Sequence, residues 1–159
     1  MKNGEVVAIC VSSKRGVRKR NVPCATLVEG LGIEGDAHAG NWHRQVSLLA
    51  VESVEKIRRQ DVEIEPGSFA ENITTRGLDL MVLAVGQRLF IGQIELEITQ
   101  IGKQCHSRCA IYDQLGDCVM PREGVFARVN KGGAIKTGDR IDVAPVVPGR
   151  KREKIGMDN

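Results

Sequence analysis

Residues 86–100, GQRLFIGQIELEITQ, form the clearest β-hairpin pattern in the chain. Two apolar runs alternate with polar residues at a period of two, and Gly92 and Gln93 separate them as a two-residue turn. The alternation predicts that Ile94, Leu96 and Ile98 face a core. We therefore expect these residues to pair as two antiparallel strands within a β-rich domain.

The segments on either side of the hairpin extend this pattern. Further strands are predicted at residues 5–12, 23–28, 46–50, 68–75, 125–129 and 138–143, with a turn at 130–133 and a brief helical turn at 77–83. One main helix is predicted at 51–60, with Glu52 and Lys56 expected to pair on its solvent-facing side. Eighteen glycines fall between short β-branched runs, which is typical of a β fold with many turns. The sequence predicts a mainly β fold, a β-barrel with one main helix and a loop-rich active-site rim. We expect a single domain at 1–147 and a polar, disordered tail at 148–159.

Composition restricts the partners. The net charge of +3 falls to +1 when the +2 of the tail is removed, so the body offers no basic face for nucleic acid. No apolar run approaches the ~20 residues that a membrane-spanning helix needs, and no signal peptide is evident. Five cysteines, an odd number, indicate reduced thiols rather than a disulfide framework. We therefore expect a cytoplasmic protein without nucleic-acid or membrane partners.

Directly after the hairpin, residues 102–124 concentrate reactive side chains. This segment holds Cys105, Cys109, Cys118, His106 and the only tyrosine. Three interpretations are open. Cys105 could be a reactive thiolate activated by neighbouring cations, with Cys109 or Cys118 resolving a persulfide or mixed disulfide. The three cysteines and His106 could instead bind a structural zinc ion, or all could be reduced bystanders.

A second cluster lies earlier in the chain. The glycine-rich residues 30–40 carry Asp36 and His38, and His43 and Arg44 follow closely. The cluster indicates a ligand site, or alternatively an Asp–His pair that only pins a loop. Residues 13–21, SKRGVRKRN, which we call the basic loop, suit either a solvated turn or a lid that brings cations to an anionic ligand.

Cys10 lies in the first predicted strand, between Ile9 and Val11, so we expect a buried, inert thiol there. Glu71 and Asn72 are candidates for orienting a ligand or another residue, or for satisfying local backbone groups.

Several separated motifs together resemble the MOSC domain, named for the carboxy-terminal domain of molybdenum-cofactor sulfurases. They are GIEGDAHAG (32–40), RQVSLL (44–49), PGSFAENITTRGLDL (66–80), VGQRLFIGQIELEITQIGKQC (85–105) and MPREGVFARVNKGGAIKTGDRI (120–141). The resemblance covers about residues 6–143 and implies a β-barrel of the short, stand-alone type. Gln104 departs from the proline that is common before the family's reactive cysteine, and Cys109 and Cys118 are additional.

The resemblance implies chemistry as well as a fold. Cys105 matches the reactive cysteine, which in the family carries sulfur or meets the molybdenum of a pterin cofactor. We assign His106 and Cys109 as its catalytic neighbours, and the cofactor-binding set is Asp36, His38, Arg44, Asn72 and Arg122. Molybdopterin is then the expected cofactor, zinc is a weaker alternative, and pyridoxal phosphate is not expected.

The activity implied by the resemblance is sulfur transfer to the molybdenum centre or a reductase-like reaction there. The expected partners are a pterin cofactor or small anionic ligand, and a molybdoenzyme or a sulfur-donor desulfurase. Two alternatives from other classes are a cofactor carrier or chaperone without turnover and a zinc-stabilised structural module.

Overall fold

The computed structural model describes residues 3–57, 63–103 and 119–145. These ranges contain eleven strands, two short α-helices and one 3₁₀ turn. The strands are β1 (Asn3–Val11), β2 (Arg20–Val22), β3 (Cys24–Val28), β4 (Gly32–Ile33), β5 (Val46–Ala50), β6 (Ile73–Arg76), β7 (Arg88–Ile91), β8 (Ile94–Ile101), β9 (Val125–Lys131), β10 (Gly133–Lys136) and β11 (Arg140–Val143). The helices are α1 (Val51–Glu55) and α2 (Met120–Glu123), and the 3₁₀ turn is Leu80–Val82.

Seven strands form a closed barrel, which confirms the predicted fold. Their order is β11-β7-β8-β9-β5-β6-β1, and β1 pairs back onto β11 with Asn3 opposite Asp142. Only the β5–β6 pair in this ring is parallel. β2 adds to the outside of the ring by pairing with the end of β1. Closure leaves the ring strands without free edges.

The hairpin forms in the predicted register, with Leu89 opposite Leu96. Gly92 has a φ of +59°, a conformation that suits the first position of a two-residue hairpin turn. Leu96 and Ile98 lie in the barrel core together with the aliphatic side chains of the other ring strands. Because strand side chains alternate between faces, the period of two places one apolar set inside the barrel.

Residues 77–84, which we call the plug segment, lie across one end of the barrel. Leu78, Leu80 and Leu83 belong to the main core. Gly4 makes this packing possible, because a Cβ at that position would lie 2.6 Å from Leu78 Cγ. The predicted helical turn appears here as the 3₁₀ turn, which Asp79 caps by accepting a hydrogen bond from the Met81 N–H at 3.0 Å.

A second apolar cluster covers the outer face of the barrel wall. Leu49 of β5 and Phe126 of β9 point outward and pack with Val54, Phe69 and Met120. β5 is therefore buried on both faces, which explains why four of the five residues of Val46–Ala50 are apolar. This covered wall supports the loops that carry the candidate site.

Two predicted boundaries are wrong. The strand predicted at 68–75 begins only at Ile73, because positive φ values at Gly67 (+89°) and Ala70 (+62°) place turns before it. The turn predicted at 130–133 is shorter, since β9 continues to Lys131 and β10 starts at Gly133. β10 then forms a small second sheet with β3 and β4, which is absent from the sequence-based prediction.

The helix predicted at 51–60 is present as α1 but ends earlier, at Glu55, with Lys56 and Ile57 in a turn, and residues 58–62 lie outside the described ranges. Its expected Glu52–Lys56 pair does not form. Glu52 instead accepts a hydrogen bond from the Gly77 N–H at 2.9 Å, and Lys56 donates to Glu123 at 3.0 Å. Tertiary partners thus replace the local pair, and α1 is tied to the plug segment and to α2.

No helix within residues 3–57, 63–103 and 119–145 has the length and apolar character needed to cross a membrane. The predicted tail at 148–159 lies outside these ranges.

Candidate functional site

The candidate site lies on the outer face of the barrel, where residues 36–45 cross from β4 to β5. We call these residues the site loop. The Ala37 N–H donates to the Ser12 carbonyl at 2.8 Å, and Thr99 Oγ1 donates to the His43 carbonyl oxygen. One end of the site loop is thus fastened to the end of β1 and the other end to β8.

A buried ion pair forms the base of the site. Lys19 Nζ lies 2.7 Å from Asp36 Oδ1, and both side chains are fully buried. The same Asp36 oxygen accepts from the Ser12 N–H at 3.1 Å, and Oδ2 accepts from the His38 N–H at 3.1 Å. Lys19 also donates to Ser12 Oγ at 2.9 Å. The pair therefore joins β1, the basic loop and the site loop.

The ion pair is arranged so that both groups stay charged. Burial alone would raise the pKa of Asp36, but the hydrogen bond and charge of the Lys19 ammonium, together with the Ser12 N–H, outweigh it and hold the pKa well below its usual range. Burial lowers the pKa of Lys19, while the hydrogen bond to Asp36 opposes this shift. Asp36 is the partner that keeps the Lys19 ammonium protonated inside the protein.

His38 lies beside this pair and faces Trp42. Its Nδ1 is 3.7 Å from Asp36 Oδ2, which is too long for a hydrogen bond, and this buried nitrogen has no hydrogen-bond partner in the described part of the chain. Burial lowers the pKa of His38, and the Lys19 and Arg15 cations add to this effect against the opposing carboxylate. The neutral imidazole is therefore favoured.

Trp42 is a platform for two arginine side chains. Its Nε1 donates to the His38 carbonyl at 2.7 Å, which fixes the indole. The guanidinium carbons of Arg15 and Arg44 lie 4.5 and 4.6 Å from the ring centroid, and that of Arg44 also lies 5.4 Å from the Phe126 ring centroid. Cation–π contacts of this kind hold both guanidinium groups on an aromatic surface.

A hydrogen-bond chain links the site loop to the start of the cysteine segment. Gln100, fully buried in β8, donates from Nε2 to the Gly102 carbonyl at 2.8 Å, and its Oε1 lies 2.7 Å from His43 Nε2. Because Oε1 can only accept, His43 must carry a proton on Nε2. The neutral ring then has its lone pair on Nδ1, for which the described residues provide no hydrogen-bond partner.

Backbone hydrogen bonds also hold the polypeptide just before the predicted reactive cysteine. The Gly102 N–H donates to the Gly124 carbonyl at 2.6 Å, and the Lys103 N–H donates to the Pro121 carbonyl at 3.1 Å. α2 therefore holds the base of the cysteine segment. The predicted residues Cys105, His106, Cys109 and Cys118 lie outside the described ranges.

Asn72 is bound entirely to protein groups in the wall of the site. Its Oδ1 accepts from the Ser47 N–H at 2.9 Å and from Ser47 Oγ at 3.2 Å, and its Nδ2 donates to the Cys10 carbonyl at 3.1 Å. The residue is fully buried. Asn72 thus ties β1 to β5 across the start of β6.

Below Asn72 lies a buried thiol and carboxyl pair. Cys10 is fully buried, as predicted, and burial followed by the charge of Glu71 raises its pKa to about 12. Burial also raises the pKa of Glu71, although the Phe69 N–H and Thr74 Oγ1 donate to it at 3.1 and 3.3 Å. Cys24, in contrast, is exposed at the start of β3.

The structure brings some predicted cofactor-binding residues together and separates others. His38 and Arg44 are half-buried around Trp42, whereas Asp36 and Asn72 lie inside the wall. Arg122 is exposed on α2, beside Gly102. Binding roles for these five residues remain predictions, and the Asp36 geometry agrees with the alternative in which this carboxylate pins a loop.

Four residues of the site carry no individual role in the sequence-based prediction. Lys19 and Arg15 were placed only in the basic loop, and Trp42 and Gln100 received no role. The signal for Arg15 and Lys19 was the high charge of that loop, and for Trp42 its place between two histidines. Among the described residues, no group of three or more His, Cys, Asp or Glu side chains is arranged to hold a metal ion.

The barrel and its loop site define a small β-barrel domain with a cation-rich site on its wall. The sequence model of the MOSC domain matches residues 35–142, which is more than half of the chain. The chain therefore belongs to the MOSC domain family, which is associated with molybdenum-cofactor proteins.

Solved structures support the fold. YuaD from Bacillus subtilis is 20% identical, has a TM-score of 0.74, and the alignment covers 89% of this chain and 95% of that one. YiiM from Geobacillus stearothermophilus is 21% identical with a TM-score of 0.69, covering 92% and 77%. YiiM from Escherichia coli is 17% identical with a TM-score of 0.67, covering 91% and 71%. A comparison with curated protein sequences found no significant match.

Proposed function

We propose that this protein binds an anionic ligand of the molybdopterin class at the site loop and presents the Cys105 thiol to it. The observation that carries the proposal is the placement of Arg15 and Arg44 on Trp42, next to β8. Cys105 follows Gln100 by five positions in the sequence. Cations on an aromatic platform thus stand near the strand that leads to the candidate thiol.

The side chains at this place fit such a ligand. Two guanidinium groups offer charge-assisted hydrogen bonds to phosphate or oxyanion oxygens, and Trp42 offers a flat apolar face. The Nδ1 of His38, which has no hydrogen-bond partner among residues 3–57, 63–103 and 119–145, is a further polar atom at the same place. When bound, the cofactor would supply a molybdenum centre capable of redox or sulfur chemistry, with Cys105 as its protein ligand or as the carrier of the sulfur.

Other residues of the chain would position these groups. Asp36 and Lys19 hold the site loop to β1, and Asn72 holds the strands beneath it. Gln100 orients His43, whose Nδ1 lone pair is then able to accept a proton. Arg122 on α2 and the residues His106 and Cys109 complete the proposed site, with His106 and Cys109 assisting the Cys105 thiol.

Two activities agree with this arrangement: sulfur transfer to a molybdoenzyme after loading by a desulfurase, and reduction at the molybdenum centre. Native mass spectrometry of freshly purified protein tests the proposal. A bound pterin supports it, and a mass increase of about 32 Da on Cys105 supports the sulfur-carrying form.

A binding titration with molybdopterin isolates the role of the cations. Charge-assisted hydrogen bonds contribute about 1.5–3 kcal/mol, so Arg44→Ala should weaken binding roughly ten- to a hundred-fold, and more strongly at low salt. Arg128→Ala is the matched control, since Arg128 is exposed on β9 and pairs there with Glu97 at 2.9 Å. Equal affinities of Arg44→Ala and wild type would refute the proposed site.

A further inference from the structure

A groove lies at the plugged end of the barrel, between α1, α2 and the plug segment. Its volume is about 400 Å³. Apolar atoms of Ala50, Leu78, Leu80 and Met81 line part of it. Its charged lining residues are Glu52, Asp79, Glu123 and Lys56. Three carboxylates and one ammonium give the groove a formal charge of −2.

Each carboxylate uses one oxygen within the fold and leaves the other available. Glu52 Oε2 accepts from the Gly77 N–H, Asp79 Oδ1 accepts from the Met81 N–H, and Glu123 Oε1 accepts from Ser53 Oγ and Lys56 Nζ. The second oxygen of each group accepts no hydrogen bond from any residue in the described ranges. The carboxylates are therefore held in place with acceptor capacity to spare.

The last barrel strand, β11, ends on the same side of the barrel as the groove. Asp142 of β11 pairs with Asn3 of β1, and a Cβ on Gly77 would lie 3.6 Å from the Gly4 Cα. β11, β1, β6 and β5 are successive neighbours in the ring. Since adjacent strands are about 4.8 Å apart, β11 and β5 are separated by roughly 14 Å.

We propose that the basic segment 150–154 of the same chain, RKREK, binds in this groove. Its four cations and one carboxylate give a charge of +3 opposite the −2 of the groove. Pro145 is the last described residue before it. Arg150 lies five positions after Pro145, a stretch that spans up to roughly 17 Å, and Lys154 lies nine positions after it, a stretch that spans up to roughly 30 Å. These lengths exceed or match the roughly 14 Å between β11 and β5, so the segment is long enough to reach the groove with the barrel unchanged.

Tethering explains why such a contact would form although exposed ion pairs are individually weak. A segment joined to the barrel by a short linker experiences a high effective concentration at the groove. Its cations would contact Glu123 on α2 and Asp79 on the plug segment together. The contact would then buttress α2, whose Pro121 carbonyl holds Lys103 at the base of the cysteine segment.

Carbodiimide cross-linking of the full chain tests this proposal, because the reagent joins lysine amines to carboxylates in direct contact. We expect Lys151 or Lys154 to be coupled to Glu52, Asp79 or Glu123 in monomeric protein. The Lys56–Glu123 pair, at 3.0 Å, is the internal positive control. The tail cross-links should decrease several-fold as the salt concentration rises from about 0.1 M to about 1 M, which shortens the Debye length from about 10 to about 3 Å.

The exposed carboxylates Glu29 and Glu34, which lie outside the groove near β4, serve as negative controls. Coupling of the tail lysines to these residues as often as to the groove would overturn the proposal. Cross-links found only in a dimer band would also overturn it, since the segment would then bind a second copy.

A second measurement avoids reliance on the cross-linking chemistry. Hydrogen exchange of residues 77–82 in the full chain should become several-fold faster when serine replaces the four cations of the segment: Arg150, Lys151, Arg152 and Lys154. Exchange rates that stay unchanged in this variant would contradict occupation of the groove by the segment.

Discussion

Replacement of Asp36 by asparagine removes the partner of a fully buried ammonium group. Lys19 Nζ has Asp36 Oδ1 at 2.7 Å and Ser12 Oγ at 2.9 Å, and in Asp36→Asn only neutral acceptors remain. Removal of one partner of a buried ion pair costs about 3–5 kcal/mol. The loss has a ceiling, because Lys19 can instead release its proton. From an unfolded pKa of about 10.4, this release costs about 1.4 kcal/mol per pH unit, or about 5 kcal/mol at pH 7.

Because the cost of deprotonating Lys19 falls as the pH rises, the predicted loss of unfolding free energy in Asp36→Asn depends on pH. In Asp36→Asn the folded-state pKa of Lys19 falls further below its unfolded value, so the penalty is greatest at low pH and shrinks as the pH rises. At pH 9 the ceiling is only about 2 kcal/mol. Asp36 itself, with a depressed pKa, contributes stability that is present above about pH 4 and lost as the pH falls through its folded-state pKa.

Urea unfolding of wild type and Asp36→Asn at pH 5, 7 and 9, followed by circular dichroism, measures these differences. Glu5→Gln is the matched control, since its pair with Arg76 at 3.2 Å is about half-exposed and should contribute less than about 1 kcal/mol. The double variant Lys19→Met/Asp36→Asn should recover much of the stability. A loss below about 1 kcal/mol in Asp36→Asn, or one that does not depend on pH, would refute the reasoning.

Three further predictions follow from the wall of the site. Gly67→Ala should lower the free energy of unfolding by several kcal/mol, because Gly67 has a φ of +89° and an added Cβ would lie 2.1 Å from the Lys19 carbonyl oxygen. Gly92→Ala is the control in the same urea assay: Gly92 has a φ of +59° but open space around it, so the loss should be about 1 kcal/mol. Cys10 in folded protein should resist alkylation, as measured by mass spectrometry, until the pH approaches its pKa of about 12. The stability that the Cys10 thiol contributes should be lost as the pH rises from about 9 towards 12, and rapid labelling of folded protein at pH 8 would contradict this prediction. Nitrogen NMR should find the neutral His43 ring protonated on Nε2, and Gln100→Leu should relax this preference; an Nδ1-protonated ring in wild type would exclude the proposed chain of hydrogen bonds.

The parts of the fold that the sequence predicts are those set by neighbouring residues. The hairpin at 86–100 and the run at 46–50 show their structure through local alternation or continuous apolar character. The strand predicted at 68–75 failed because positive φ values at Gly67 and Ala70 are not visible in a pattern of apolar residues. The closure of β1 onto β11 joins segments far apart in the described chain, and the number of strands and the family resemblance indicated it rather than any local pattern.

The candidate site was less predictable because its contacts join residues that are far apart in the sequence. Lys19 belongs to a run of cations that resembles a solvated turn, and its buried partner Asp36 lies 17 positions away. The contact between His43 and Gln100 spans 57 positions. No local period encodes such pairs. The position of the candidate site could still be proposed, because two of the three histidines lie in the site loop and three of the five cysteines lie in the segment after β8.

The two fastenings of the site loop have a common consequence for ligand binding. Asp36 ties one end to β1 through buried hydrogen bonds, while His43 ties the other end to Gln100 of β8. Trp42 and Arg44 lie close to the second fastening, so much of the conformational freedom of their backbone is lost on folding rather than on binding. Preorganisation of this kind lowers the entropic cost of capturing a ligand. Asp36 and Gln100 can therefore control affinity at the proposed anion site without contacting the ligand.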